Sequence, residues 1–337
     1  MTRLWTDGFE FRDLVGYCTG FSAGINTTVK RSGNASAKIA NTGPTSEGWF
    51  TFSFDPISEF YLRFGMYVDT SKDWPQIIWR SGSTDAGYVN FGTCNIIRAV
   101  TTVGGLVGTG TTSLFESVWY LIEVHVIMNA TTGKIEVKLD GMSTLEIDFT
   151  GNTGAGTIDT IEFFIGYGGL GEIQSAYFDD LALNDTAGGV DDSWPGEGKI
   201  IVMMPNDDST PLELTPSAAS DHHLLVDEVP TDGDTTYVEG SVVDEEDMYK
   251  LTPSGLVDVD INRVWTEARS RKLSASDGQV ALITKAAGGA EVSGGDEELL
   301  TTYSLKVLGA EELENPVDSN PWEVADVDLI EIGPRTR

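Results

Sequence analysis

Residues 119–184 constrain the fold more than any other part of this sequence. Short runs in this stretch alternate between apolar and polar residues, the period of a β-strand with one buried face. Asp140-Gly141 separates two of the runs and has the composition of a positive-φ hairpin turn. Strands of this kind must bury their apolar faces against another sheet, so the stretch predicts half of a β-sandwich. The runs cover residues 119–128, 134–139, 145–149, 158–165 and 177–183.

The rest of the chain has the same character. The 337 residues include 38 glycines and few segments with a helical period, which indicates an all-β protein with many turns. The length predicts two domains. We expect a jelly-roll sandwich over residues 1–186 and a glycine-rich linker over 187–198, with Trp194 anchored on one of the domains. A second, smaller and acidic β-sandwich is expected over 199–337.

Several strings in the first domain resemble those of a known fold. They are Trp119-Tyr120, the run from Gly133 to Gly141, and Tyr-Phe-Asp-Asp-Leu-Ala-Leu-Asn-Asp at residues 177–185. Together they are similar to the concanavalin-like, laminin-G-like jelly roll. The overall layout, with Thr-Asp-Gly-Phe-Glu at residues 6–10 in front and residues 190–198 behind, resembles two-domain virion proteins of tailed bacteriophages. That resemblance implies a non-enzymatic structural protein on the outer surface of the particle, as a capsid decoration or tail accessory. Its partners would be other virion proteins or further copies of itself.

The charge of the chain excludes some partners. The formal net charge is −32, and residues 187–337 hold 32 acidic against 10 basic residues. A nucleic-acid or anionic-membrane partner needs basic side chains that this surface lacks. The sequence contains no apolar run long enough to insert into a membrane and no secretory segment at its start. These features fit a virion component made in the host cytoplasm and released by lysis.

Acidic residues near the end of the first domain are candidates for a metal site. The resemblance implies calcium near the jelly-roll rim, with Asp179, Asp180 and Asp185 as oxygen ligands. The alternative is that one of the adjacent pair faces solvent while the other hydrogen-bonds backbone between the sheets. No nucleotide- or phosphate-binding motif is present in the sequence.

Aromatic residues offer a second class of site. Trp74, Trp79 and Tyr88 lie in or beside loop-rich connections and could form a platform on which a sugar stacks. The alternative is that they belong to the hydrophobic core. A glycan platform would make the chain a carbohydrate-binding or host-receptor adhesion protein, which is the rival to the virion structural role.

The sequence argues against glycosidase activity. Concanavalin-like glycosidases carry Glu-x-Asp-x-x-Glu on one strand, and Glu146 and Asp148 match only its first two carboxylates. Gly151 and Asn152 stand where the proton donor is needed. We therefore expect no enzyme and interpret the two acids as a solvated strand face.

Both ends of the chain carry residues suited to anchoring. Leu4 and Trp5 could form an apolar plug, and Arg335 and Arg337 could pair with acids. Since a short end has little to hold it on its own domain, we expect these residues to contact another subunit of an assembly.

Overall fold

The computed structural model describes residues 3–12, 14, 18–41, 46–69, 75–91, 95–166, 174–188, 191–274, 278–287, 289, 291–307 and 314–337. The chain divides into two compact units, Met1–Ile201 and Val202–Arg337. Both are built from antiparallel strands, which confirms the predicted all-β class. Within these ranges the helices are single turns, a 3₁₀ helix at His222–Leu225 and α1 at Val324–Val327, and none is long and apolar enough to cross a membrane.

The described part of the first unit contains fourteen strands. They are β1 Arg3–Asp7, β2 Gly20–Asn26, β3 Ser36–Asn41, β4 Gly48–Ile57, β5 Glu59–Val68, β6 Gln76–Ser81, β7 Thr84–Phe91, β8 Ile97–Thr101, β9 Gly105–Thr109, β10 Tyr120–Ile127, β11 Gly133–Leu139, β12 Ile147–Gly151, β13 Ile158–Ile165 and β14 Gln174–Asn184.

These strands form a two-sheet sandwich. The first sheet has the order β12-β11-β10-β5-β14-β3, with β1 also paired to β14, and the second has the order β4-β13-β6-β7-β8-β9. Strand β2 joins the sheets, because Ala23–Asn26 pairs with β3 and Gly20–Ser22 pairs with β4. The chain crosses between the sheets repeatedly, as a jelly roll does.

One part of the sequence prediction needs correction. The five strands of residues 119–184 do not all lie in one half of the sandwich, since β13 pairs with β4 and β6 in the second sheet. The predicted hairpin is confirmed: β11 and β12 pair, and Asp140 and Gly141 have φ values of 49° and 66°. A side chain on Gly141 would be strained at that φ, which explains the glycine in the turn.

Aromatic rings from both sheets fill the middle of the sandwich. Phe50 of β4 stacks on Phe163 of β13, with centroids 4.7 Å apart and ring planes 11° apart. The edges of Phe9 and Phe178 contact Phe50 at 5.9 and 5.8 Å. All four rings are fully buried, so they hold the two sheets at a fixed separation.

The segment predicted as a linker lies against the first unit. Trp194 packs on the rings of Tyr61 and His125, and the Lys138 ammonium lies 3.9 Å from its centroid. The Gly196 amide donates to Glu123 at 2.7 Å. Trp194 therefore anchors this segment, as its composition led us to expect, and the unit boundary falls after Ile201.

The second unit is also a β structure. Its main sheet has the order β15-β18-β24-β20-β21, with β22 beside β20, and two-stranded ribbons are formed by β16-β17 and β19-β23. Trp322, Val327 and Ile330 form part of its small core. The strands are β15 Pro205–Leu212, β16 Thr215–Pro216, β17 Val238–Glu239, β18 Asp247–Leu251, β19 Glu267–Ser270, β20 Gln279–Lys285, β21 Glu291–Ser293, β22 Glu297–Glu298, β23 Ser304–Val307 and β24 Glu331–Thr336.

The central aromatic stack gives the first prediction. Phe50→Ala should reduce the free energy of unfolding of the first unit by about 3–5 kcal/mol, because a large cavity opens between the sheets. Phe115→Ala is the control, since that ring is 67% exposed, and it should change stability by less than about 0.5 kcal/mol. Chemical denaturation followed by tryptophan fluorescence measures both. Equal effects of the two substitutions would contradict a core centred on Phe50.

Candidate functional site

A row of side chains crosses the outer face of the second sheet. We call it the outer row and define it as Trp49, Phe164, Gln76, Asn90 and Arg98, one residue from each of β4, β13, β6, β7 and β8. These residues are successive register partners across the strands. With strands about 4.8 Å apart, the row spans roughly 19 Å. It therefore offers two aromatic rings, two amides and a guanidinium along one line.

The orientation of the outer row follows from its neighbours in sequence. Phe50 and Phe163 belong to the core, and Trp49 and Phe164 precede or follow them, so the latter point away from the core. The same relation joins Asn90 to the fully buried Val89. The row is thus placed by packing on the opposite face of the sheet.

A second row runs beside the first. Glu162, Ile78 and Tyr88 are register partners on β13, β6 and β7. Ile78 and Glu162 are only 5% and 6% exposed although they point away from the core. Longer side chains around them must cover them, so this face is a crowded polar and aromatic surface rather than an open flat sheet.

Gly20 of β2 leaves the space that the Trp49 indole occupies. A Cβ built on Gly20 would lie 2.8 and 2.9 Å from two carbons of the indole ring. The ring therefore lies directly over the backbone of the neighbouring strand, where any side chain would displace it. Trp49 remains partly exposed in this position. An aromatic ring held in place and partly exposed is suited to stacking on a ligand.

The carboxylate on this face is held by an arginine. Arg80 donates to both oxygens of Glu162, at 2.9 and 3.0 Å, and its Nε donates to Asp85 at 2.7 Å. Burial raises the pKa of Glu162, and the ion pair with Arg80 opposes that shift. Both Glu162 oxygens are occupied, so the group is positioned as an ion-pair partner and not as a free acid or base.

Two polar groups of the outer row lack partners. Arg98 Nε and Asn90 Oδ1 are enclosed, and neither has a hydrogen-bond partner. Arg98 as a whole is partly exposed, and its two terminal nitrogens are not among the enclosed atoms. A donor and an acceptor that protein groups leave unmatched stand side by side at this end of the row.

The predicted aromatic platform is partly wrong. Trp79 is 1% exposed and packs in the core, where its ring edge meets Phe60, so it cannot stack on a ligand. Tyr88 does lie on the outer face, in the second row. Trp74 lies outside the described residues. Sequence reasoning missed Trp49 and Phe164, although their alternation with the core residues Phe50 and Phe163 was a usable signal.

The predicted calcium ligands serve other roles here. Asp179 accepts from the amides of Arg31 and Ser32, and Asp180 accepts from Arg31 Nη1, Ser32 Oγ and the Ile200 amide. Asp185 accepts from the Ala187 amide. Among the described residues, no three acidic, histidine or cysteine side chains converge as a metal site. The donors engage the carboxylates of Asp179 and Asp180, and Asp185 does not converge with them, so the arrangement does not fit a metal held by the predicted triad.

Asp179 and Asp180 are both fully buried, which corrects the expectation that one of them faces solvent. A register shift in β14 between Asp179 and Ala182, with Asp180 at a φ of 52°, turns both side chains inward. Glu10 lies in the same cluster. It is 4% exposed and accepts from the Asn34 amide at 2.7 Å, while its Oε1 has no partner. Burial, with Asp180 nearby, raises the pKa of Glu10 to about 7.

Glu146 and Asp148 do not form a catalytic pair. Glu146 Oε2 accepts from the Thr111 and Thr112 amides at 2.8 and 3.1 Å, and Oε1 accepts from the Thr112 hydroxyl. Burial opposes ionisation, but these bonds outweigh it and lower the pKa of Glu146. Asp148 is exposed at the sheet edge opposite Glu136. Glu146 therefore fixes the position of the loop at Thr111 and Thr112, whereas Asp148 is solvated, as the sequence predicts.

The residues predicted to anchor an assembly are held within the chain itself. Trp5 packs on Phe52 with centroids 3.6 Å apart, and Leu4 also packs against the core. Arg335 pairs with Glu246 and with Glu291, and Arg337 with Asp244 and Asp296. The premise that the ends have little to hold them is therefore wrong. Contact with another subunit stays a prediction.

No protein-family model and no curated protein matches the chain. Among solved structures, the cellulose-induced protein Cip1 is 17% identical over 58% of this chain and 100% of its own, with a TM-score of 0.44. Metal-free lectin I-B4 from Griffonia simplicifolia is 11% identical over 53% and 98%, with a TM-score of 0.38.

A third similar structure is the catalytic domain of a glycoside hydrolase family 131 protein from Coprinopsis cinerea. It is 10% identical over 55% of this chain and 95% of its own, with a TM-score of 0.38. At these sequence identities and TM-scores, the similar structures do not identify a ligand for this chain.

The buried Glu10 predicts an unusual pH dependence. A carboxyl whose pKa is 4.5 unfolded and about 7 folded makes stability fall as pH rises between those values. The loss should total about 3 kcal/mol. Glu10→Gln should remove this part of the slope, while Asp148→Asn, a change of an exposed acid, should leave it unchanged. Unfolding free energies measured from pH 4 to 8 would refute the assignment if the Gln variant kept the full slope.

Proposed function

We propose that the chain is a non-enzymatic binding protein whose first unit holds a glycan along the outer row. The observation that carries this proposal is the single line of Trp49, Phe164, Gln76, Asn90 and Arg98 across five strands. Rings that lie partly exposed can stack on the apolar faces of sugars. The amides and the guanidinium beside them supply donors and acceptors for hydroxyl groups.

The length and stiffness of the row support a chain-like ligand. Roughly 19 Å separates its ends, which accommodates several sugar rings rather than one. All five residues lie on strands whose opposite faces form the core, so little ordering is required on binding. A preformed, extended surface of this kind suits an oligosaccharide.

Binding without cleavage is supported by the state of the carboxylates. Glycoside hydrolysis needs two carboxyl groups free to act on opposite sides of the bond. Glu162 is held at both oxygens by Arg80, and Glu146 is held by the Thr111 and Thr112 segment. On this basis the site retains its ligand and releases it unchanged.

We also propose, from sequence resemblance, that the protein is carried on the outer surface of a tailed-phage particle. None of the three similar structures named above is described as a virion protein, so this placement rests on the two-domain layout of the chain, with residues 6–10 in front of the jelly-roll strings and residues 190–198 behind them. The two proposals are compatible, since a glycan-binding protein on a particle would contact the host surface. Attachment to the particle would then use surfaces other than the outer row.

Substitution of one ring in the outer row and one in the second row beside it tests glycan binding directly. Trp49→Ala and Tyr88→Ala should each weaken binding to a glycan found on an array by about tenfold, or ~1.4 kcal/mol, because each removes a stacking ring. Tyr67→Ala is the matched control, since Tyr67 lies on the outer face of the other sheet against Tyr177. Calorimetric titration, with thermal melts to confirm folding, measures the effect. If Tyr67→Ala weakens binding as much as the other two, the site is misplaced.

The location on a particle has its own test. Antibody labelling of phage particles that encode this chain should place it on the capsid or tail exterior, at regularly repeated positions. Absence of the protein from purified particles would rule out the virion placement and leave glycan binding to be judged separately.

Deletion of residues 334–337 should reduce the melting temperature of the second unit, because Arg335 and Arg337 pair within the chain.

A further inference from the structure

We infer that the glycan bound along the outer row is acidic, with a sugar carboxylate paired to Arg98. This inference rests on the proposed function, since it names the substrate class of the same site. It is based on the unmatched charge and hydrogen-bonding groups at the Arg98 end of the row.

Within the described ranges, the Arg98 side chain has neither an ion pair nor a hydrogen-bond acceptor, and its Nε is enclosed without a partner. The chain contains 53 acidic and 21 basic residues, so a partner acid would be easy to supply. By contrast, Arg31, Arg80 and Arg335 each hold a carboxylate. A partly buried guanidinium left unpaired in such an acidic chain is destabilising unless a ligand completes it.

Two carboxylates on the described part of this face are engaged by another arginine. On this face Glu162 and Asp85 both bind Arg80, which sits on β6 next to β13. Arg80 is therefore neutralised, whereas Arg98, two strands further along the sheet, is not. The positive charge of the face is concentrated at one end of the row.

The chemistry of Arg98 selects a carboxylate. A guanidinium presents N–H donors in a fixed planar arrangement that matches the two oxygens of a carboxylate. A hydroxyl group has a single oxygen and cannot make the same paired hydrogen bonds. The side-chain NH2 of the partly exposed Asn90 beside it can donate to a hydroxyl group on the same sugar ring. A uronic acid carries both groups on one ring. Trp49 and Phe164 would stack on rings further along the chain of sugars.

The net charge of the protein does not prevent this contact. Repulsion between exposed charges is screened beyond about 8 Å at physiological ionic strength, whereas a direct ion pair acts within about 3 Å. The overall charge of −32 should slow the approach of a polyanion. The acid-specific part of the affinity should therefore come from Arg98 and should vanish with its charge.

The test compares pairs of glycans that differ at C6 of each sugar, which is a carboxylate in one member and a hydroxymethyl group in the other. The full chain is titrated at 0.15 M salt with β-1,4-linked oligoglucuronate and with the β-1,4-linked oligoglucose of the same length. Polyuronates of other ring geometry are titrated against their own neutral counterparts. Wild-type protein should bind at least one polyuronate about tenfold more tightly than its counterpart. Arg98→Gln should abolish that preference, and Arg98→Lys should keep part of it, because charge remains but the planar arrangement of donors is lost.

Folding controls are available within the same variants. Since Arg98 makes no bond within the described protein, Arg98→Gln should melt at or above the wild-type temperature. Arg80→Gln is the matched comparison and should melt lower, because it frees Glu162 and Asp85.

The outcomes separate the two claims. If neutral glycans bind as tightly as their acidic counterparts, or if Arg98→Gln keeps the preference, the acidic ligand is excluded and the glycan site stands. If no glycan of either kind binds, the proposed function fails and the inference fails with it.

Discussion

The stack of Phe50 on Phe163 is the interaction on which the first unit depends. These rings lie 4.7 Å apart between the sheets and fix how β4 and β13 sit side by side. Their sequence neighbours Trp49 and Phe164 must then point outward and align across the same two strands. Packing of the core thus determines where the outer row lies. A slip of one residue in either strand would bury one outer ring and expose one core ring.

The same rule explains which features could be predicted from the sequence. Alternation placed β10, β11 and β13 within a residue or two of their observed bounds, and Asp140-Gly141 identified the hairpin. Alternation cannot say which sheet a strand joins, because the period is the same in both. That is why β13 was assigned to the wrong half of the sandwich.

Two of the predicted sites show where local sequence patterns stop being informative. Trp79 follows Ile77 and Ile78, so three apolar residues in a row do not reveal which of them face the core. Asp179 and Asp180 are adjacent and should point to opposite faces, but the register shift in β14 turns both inward. The unpaired state of Arg98 depends on long-range register and on which described acids lie near it, neither of which a single sequence displays.

Because the chain is strongly acidic, it is informative which of its few basic side chains pair with an acid. Most charge lies on a solvated surface, where single ion pairs contribute little. Arg80 orders two acids on the outer face of the second sheet, whereas Arg98 has no acidic partner in the described part of the chain. The most direct test of this account is a co-crystal structure of the full chain with an oligouronate that it binds. We predict sugar rings along Trp49 and Phe164 and a carboxylate within hydrogen-bond distance of the Arg98 guanidinium. Ligand bound on any other face, with the outer row empty, would contradict the account.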